Sequence, residues 1–352
     1  MYRALLLAAA FGALAPASPA AQPTSNIRWS IETPGSRFDG HDVQLTIDSR
    51  WSPNSRSTWS NDRNLSEIGL SPAQVTGSSQ PVRFTFAREA GRLDCIGTAG
   101  SGRGSGSCVF TPDAGFASFL AARGIGQPGA QQSFSLAMSG VGRDLVGALE
   151  KGGFERPSVE QLTAMGIHGA TAPYVRALAG SGYHLSADDL VAFKIHGVEP
   201  DYVRQLGAMG PRLQHIGPSD LVALKIHGVR ADYVRELAAI GPEFRNLSAD
   251  DLVAFAIHGV RPALARAYVE ANGRRLEPDA VVAMAIHGVT PEFINALAAL
   301  GYRNLSADDL VALSIHGVTA DYVQSLQRAG MPRLSADQLV RLRLAGFDGR
   351  KN

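Results

Sequence analysis

Cysteine, lysine and long apolar runs are what this 352-residue chain has least of. Two cysteines are too few for a disulfide-dense scaffold or a multi-cysteine metal centre. Lysine occurs only at Lys151, Lys194, Lys225 and Lys351, and the net charge is +1. That balance is not the basic excess of a nucleic-acid binder, so no nucleic-acid partner is expected. The chain has no Gly-Lys-Ser/Thr phosphate loop, no His-Glu-x-x-His, no nucleophile elbow and no paired catalytic carboxylates. The expectation is a protein that is not an enzyme and uses no cofactor or metal.

The one early apolar stretch, Ala4–Ala15, follows Arg3 and precedes the small residues Pro16-Ala17-Ser18-Pro19-Ala20. It is short for a bilayer span and has the layout of a secretory signal. Residues 1–21 are therefore read as a signal peptide. The rest is expected to lie in the periplasm or outside the cell, with no membrane span after cleavage.

Cys95 and Cys108 are equidistant from the Ser101–Gly102 link, where glycine suits a hairpin centre. Equal distance from a turn places two residues opposite each other on adjacent strands, where a disulfide fits. The competing reading is two buried free thiols. The surrounding Gly100-x-Gly102-x-Gly104-x-Gly106 run reads as a flexible hairpin tip.

Residues 22–150 are expected to form a β-rich domain. Apolar and polar residues alternate in Ile27–Glu32, Val43–Asp48, Val82–Phe86 and Phe134–Met138, the period of half-buried strands. One helix is expected near Asp113–Arg123. The architecture implied is a small antiparallel sheet or a sandwich.

The tripeptide Ile-His-Gly then recurs at His168, His196, His227, His258, His287 and His316, with spacings of 28, 31, 31, 29 and 29 residues. A fixed period of this length marks stacked supersecondary units. Each unit reads as two short helices. In the unit from Leu185, Ser186 is an N-cap with Asp189 three residues on, and Gly197 ends the helix. Leu190, Val191, Phe193 and Ile195 supply its apolar side, and Pro200 opens the second helix. Residues 155–347 are thus expected to form an all-α solenoid of about six units with a terminal cap. The fold class is α+β.

The six histidines invite a metal reading. Units in a stack stand about 10 Å apart, too far to share an ion bound at about 2 Å. The preferred account is structural: an imidazole in the last helical turn can donate to terminal carbonyls. Arg176, Arg204, Arg235 and Arg266 occupy equivalent places on the second helices, and with Lys194 and Lys225 they are the interaction candidates for an anionic partner. The competing and favoured account is local pairing, as between Asp201 and Arg204 or Asp232 and Arg235.

The unit Leu-Ser-Ala-Asp-Asp-Leu-Val-Ala-Leu-Ser-Ile-His-Gly-Val-Thr (305–319) and its copies resemble units in uncharacterised bacterial exported proteins and in the extracytoplasmic tails of some BlaR/MecR-like membrane peptidases. The segments Gly102–Gly106 and Phe110–Pro112 are similar too. The peptidase half has no counterpart here, so the resemblance implies a sensor or interaction domain of the cell envelope and no catalysis. The function expected is a scaffold that binds another envelope or extracellular protein through its repeats. The alternative is an envelope-polymer or glycan binder using Trp29, Trp51 and Trp59 of the β domain.

Overall fold

A computed structural model describes residues 24–34, 40–52, 54–183, 185–273 and 275–347. The expected signal peptide lies outside these residues. The fold is α+β: six strands come first and helices follow. The strands are β1 (Thr24–Glu32), β2 (Asp42–Ser52), β3 (Ser55–Asn64), β4 (Gln80–Arg88), β5 (Gly91–Gly100) and β6 (Arg103–Pro112). By contacts, the chain divides into two compact units. One runs through Gly147 and includes Pro157–Ile167; the other comprises Ala148–Arg156 and the chain from His168 onward.

In the first unit the strands form one antiparallel sheet in the order β3-β2-β1-β6-β5-β4. Two three-stranded meanders meet where β1 pairs with β6. A short helix, α1 (Pro72–Thr76), lies between the two edge strands in sequence, behind the capping box of Ser71 and Gln74. Alternate residues point to one face and bury it: Ile27, Trp29 and Ile31 of β1, Val43, Leu45 and Ile47 of β2, Val82, Phe84 and Phe86 of β4. The sheet coils so far that Trp59 of β3 and Phe86 of β4, on opposite edges, stand 6.1 Å apart. Helices α2 (Ala114–Ala122), α3 (Ala130–Met138) and α5 (Val159–Ile167) belong to this unit, and α3 packs on β5, β6 and α5. Between α3 and α5 in sequence, α4 (Arg143–Gly152) spans the division between the units. Among the described residues there is one sheet, covered by helices, rather than the two sheets of a sandwich.

Cys95 and Cys108 are register partners and form a disulfide, with Cα atoms 4.1 Å apart. The hairpin between them turns at Ser101 (φ 53°) and Gly102 (φ 81°), the left-handed pair that matches strand twist. Most of the glycine run lies in strands rather than in a loop. Gly104 and Gly106 lie in β6, Gly97 in β5, and the tip is tied by Ser101 N–H to Gly77 O and Gly102 N–H to Val75 O. A Cβ on Gly97 would stand 2.6 Å from Cζ2 of Trp29, and one on Gly106 2.6 Å from its Nε1. These glycines make room for the indole, whose Nε1 donates to Ile96 O at 3.0 Å.

One sequence expectation fails here, and one strand was not foreseen. Phe134–Met138 is the end of α3, not a strand. Ser133, Phe134, Leu136, Ala137 and Met138 are all buried, so the helix is covered nearly all round and its short polar alternation carries no facing information. The strand β3 was not foreseen: it has a single large apolar residue, Trp59, and is held by backbone pairing to β2.

The second unit is built of helix pairs: α6 (Ala172–Ala179); α7 (Ala187–His196) with α8 (Pro200–Gly207) and the short α9 (Pro211–Gln214); α10 (Pro218–Ile226) with α11 (Ala231–Ala238); α12 (Ala249–Ile257) with α13 (Pro262–Asn272); α14 (Pro278–Ile286) with α15 (Pro291–Ala299); α16 (Ala307–Ile315) with α17 (Ala320–Arg328); and α18 (Ala336–Leu344). First helices pack side by side along α7, α10, α12, α14, α16 and α18, and second helices along α6, α8, α11, α13, α15 and α17. Capping boxes form at Ser186, Ser248, Ser306 and Ser335. Gly197, Gly228, Gly259, Gly288, Gly317 and Gly346 are all left-handed. The residue after each donates to the carbonyl five positions earlier, as Val198 does to Phe193 at 2.7 Å, the Schellman ending of a helix. Leu190, Phe193 and Val198, with their counterparts as far as Leu310, Leu313 and Val318, are fully buried between neighbours, whereas in the last unit Leu342 is half-buried and Phe347 exposed.

Candidate interaction surface

Six copies of one motif let folding needs be separated from other needs within a single chain. In Ile-His-Gly the glycine sets the left-handed turn, and the residue after it, Ala170 in the first copy and valine in the other five, is core. The isoleucine is neither. Ile195, Ile226, Ile257, Ile286 and Ile315 are 51–56 % exposed, and Leu344 takes the same place in α18 at 67 %. This corrects the placing of Ile195 on the apolar side of its helix. Two residues advance a helix by about 200°, so a residue two beyond buried Phe193 points away from the core. Each of these side chains stands at the end of a first helix, and neighbouring helices pack about 8–10 Å apart. The result is a ladder of exposed aliphatic side chains along one edge of the first-helix layer.

The histidines flank this ladder. His196, His227, His258 and His287 are exposed and His316 is half-exposed. His227, His258, His287 and His316 are C-cap residues whose backbone N–H groups close the last turn, as His227 N–H does to Ala223 O at 3.0 Å. Among the described residues none of the imidazoles of His168, His196, His227, His258, His287 and His316 makes a hydrogen bond. Among the same residues no three His, Cys, Asp or Glu side chains come together as a metal-binding group.

The basic candidates divide into two kinds. The lysines are committed to the stack: Lys194 Nζ lies 4.6 Å from the centre of the Tyr174 ring of the preceding unit and 2.9 Å from Glu199, and Lys225 Nζ lies 4.8 Å from Tyr202. Their stems pass over the preceding glycine, with Lys194 Cε 3.9 Å from a Cβ on Gly169. The arginines Arg176, Arg204, Arg235 and Arg266 are exposed on second helices. Arg204 pairs with Asp201 at 2.9 Å, whereas Asp232 bonds Arg230 at 3.0 Å rather than Arg235.

A second inter-unit device was not read from sequence. The hydroxyl of Tyr174 donates to Val198 O of the next unit at 2.6 Å, and Tyr202, Tyr233 and Tyr268 do the same to Val229, Val260 and Val289. Burial pushes the Tyr233 phenol up to about 12. Where Phe293 stands in place of tyrosine, Ser314 donates to His287 O and Gln327 to Leu300 O. All four tyrosines precede a valine, Tyr202 and Tyr233 within Asp-Tyr-Val, but nothing in their spacing named the acceptor.

The tryptophans of the alternative reading are placed differently from one another. Trp29 is 2 % exposed and part of the core. Trp51 is half-buried 5.3 Å from Phe134, its Nε1 on Ser49 Oγ. Trp59 is half-buried, with the Arg63 guanidinium 5.0 Å from its ring, in a cleft of about 570 Å³ also lined by Arg88, Met138 and Ile167.

No protein-family model matches the chain, and no curated protein matches it.

Proposed function

We propose that the protein is a non-enzymatic, exported interaction protein whose helical repeats bind another protein of the envelope or the extracellular space. The observation that supports this is the exposed isoleucine ladder. A residue repeated in every unit, yet left in water, costs solubility and contributes nothing to the core, and apolar strips of this kind mark protein-binding surfaces. The flanking imidazoles add polar groups beside it. The disulfide fits an oxidising compartment, and no single described helix is long and apolar enough to cross a membrane. The resemblance of the units to extracytoplasmic peptidase tails supports a sensing or scaffolding role.

The test is capture from envelope extract with the full chain as bait, compared with a variant carrying Ile226→Lys, Ile257→Lys and Ile286→Lys. Exposed positions tolerate such changes, so melting should move by less than about 1 kcal/mol equivalent. A saturable protein partner lost from the variant supports the reading. Equal capture by both baits, or no saturable partner, overturns it.

A further inference from the structure

We propose that the outer face of the β-sheet is a binding trough for an acidic polysaccharide, built by four arginines that strand register brings together. The face opposite the core is not a plain solvated surface. One transverse row reads Thr58, Asp48, Arg28, Ser107, Ile96 and Arg83 across all six strands. Arg50 and Arg56 are register partners one row away. A trough of about 1450 Å³ on this face has Arg28, Arg50, Arg56 and Arg83 in its walls.

The charge is unbalanced. Asp48 is the one carboxylate that lines the trough among the described residues. It accepts from Thr58, with Arg56 3.3 Å away, and these contacts, Thr58 first, hold its carboxyl below the usual range. Nearby acids are engaged elsewhere: Asp94 with Arg92 and Thr85, Glu32 with Arg103. No hydrogen bond or ion pair within the described residues engages the side chains of Arg28, Arg50 and Arg83.

The floor indicates which anion fits. Thr98, Ser105 and Ser107 present small hydroxyl side chains, beside the backbone of Gly97 and Gly106. Strands stand about 4.8 Å apart, so Arg28 and Arg83, three strands apart, are separated by about 14 Å. A long, flat ligand rich in hydroxyls, with anionic groups spaced along it, matches both the floor and the walls. Trp29 touches the trough but is buried, so no aromatic platform exists there for stacking nucleic-acid bases. Apolar pockets that would seat peptide side chains are absent from its lining, Ile96 being the one exposed large aliphatic group.

The test uses the full chain with alginate as a polyuronate, long-chain polyphosphate, and dextran as the neutral control. Alginate is expected to bind at low salt, to weaken steeply as salt rises, and dextran not to bind. Arg28→Gln and Arg83→Gln should each weaken alginate binding about tenfold, the worth of a charged hydrogen bond. Arg103→Gln, outside the trough walls of the central row and paired with Glu32, should change it less than twofold. Each variant is checked for an unchanged melting curve, and Arg50→Gln replaces any that fails. Absence of alginate binding, equal binding by the variants, or binding of polyphosphate with none of alginate would overturn the proposal. The isoleucine variants leave this trough intact, so its failure and that of the protein-binding reading are separable.

Discussion

Glycine does opposite work in the two units. In the sheet, a Cβ on Gly106 would stand 2.0 Å from Ile96 O and 2.6 Å from the Trp29 indole. Its backbone angle is ordinary, and what it supplies is space. In the repeats, a Cβ on Gly259 would meet nothing within 4 Å, but the residue sits at φ 69°. What it supplies is conformation. The contrast reflects how each unit is held together. The sheet unit joins residues far apart in sequence, Trp29 against Gly97 and Gly106, so one intrusion disturbs the whole core. The repeat unit is held by local endings and nearest neighbours, so damage stays near its source.

The largest expected effect tests the first half of that contrast. Gly106→Ala forces a methyl against backbone that belongs to the neighbouring strand, and overpacking of this kind costs about 3 kcal/mol. Urea unfolding followed by near-ultraviolet circular dichroism of Trp29 should show a lower midpoint for the entire sheet unit. An unchanged midpoint would mean that the strands separate freely at this point and that the glycines are not there for packing.

A smaller effect tests the second half. Gly259→Ala has room but the wrong backbone region, and a non-glycine residue in the left-handed conformation costs about 1–2 kcal/mol. Hydrogen exchange should quicken in α12, α13 and their direct neighbours and leave α17 and α18 as they were. Faster exchange throughout the repeats would show that the array unfolds as one cooperative body.

The same contrast governs what could be read from sequence. The repeat unit was legible because its rules are local: Ser186 with Asp189, Gly197 with Val198, each within a few residues. The disulfide was legible because Cys95 and Cys108 are symmetric about one turn. The β3 strand was not, since a polar edge strand is defined by its partner rather than by its own pattern. The ladder of Ile195 and its counterparts was misassigned because apolar character was read without rotating the helix. The arginine trough was invisible: Arg28, the Arg50–Arg56 pair and Arg83 lie apart in the chain, and the register of all six strands assembles them.

The smallest effect probes the seam between units. Tyr233 donates to Val260 O at 2.6 Å, and losing one such neutral bond costs about 1 kcal/mol. Tyr233→Phe keeps the ring and removes the bond, as the chain itself does at Phe293. The tyrosine also carries a pH signature. An unfolded phenol ionises near 10, whereas in the fold burial raises Tyr233 to about 12. The folded state therefore holds its proton where the unfolded state has lost it. The stabilisation is complete below pH 10 and declines as pH rises towards about 12. The melting point of the repeats should fall over that window in the native protein, and fall less in the Tyr233→Phe variant. Equal slopes would mean that the phenol is not buried at the seam. The stack would then rest on its buried leucines, the lysine-over-tyrosine contacts and side-chain bonds such as Ser314 to His287 O.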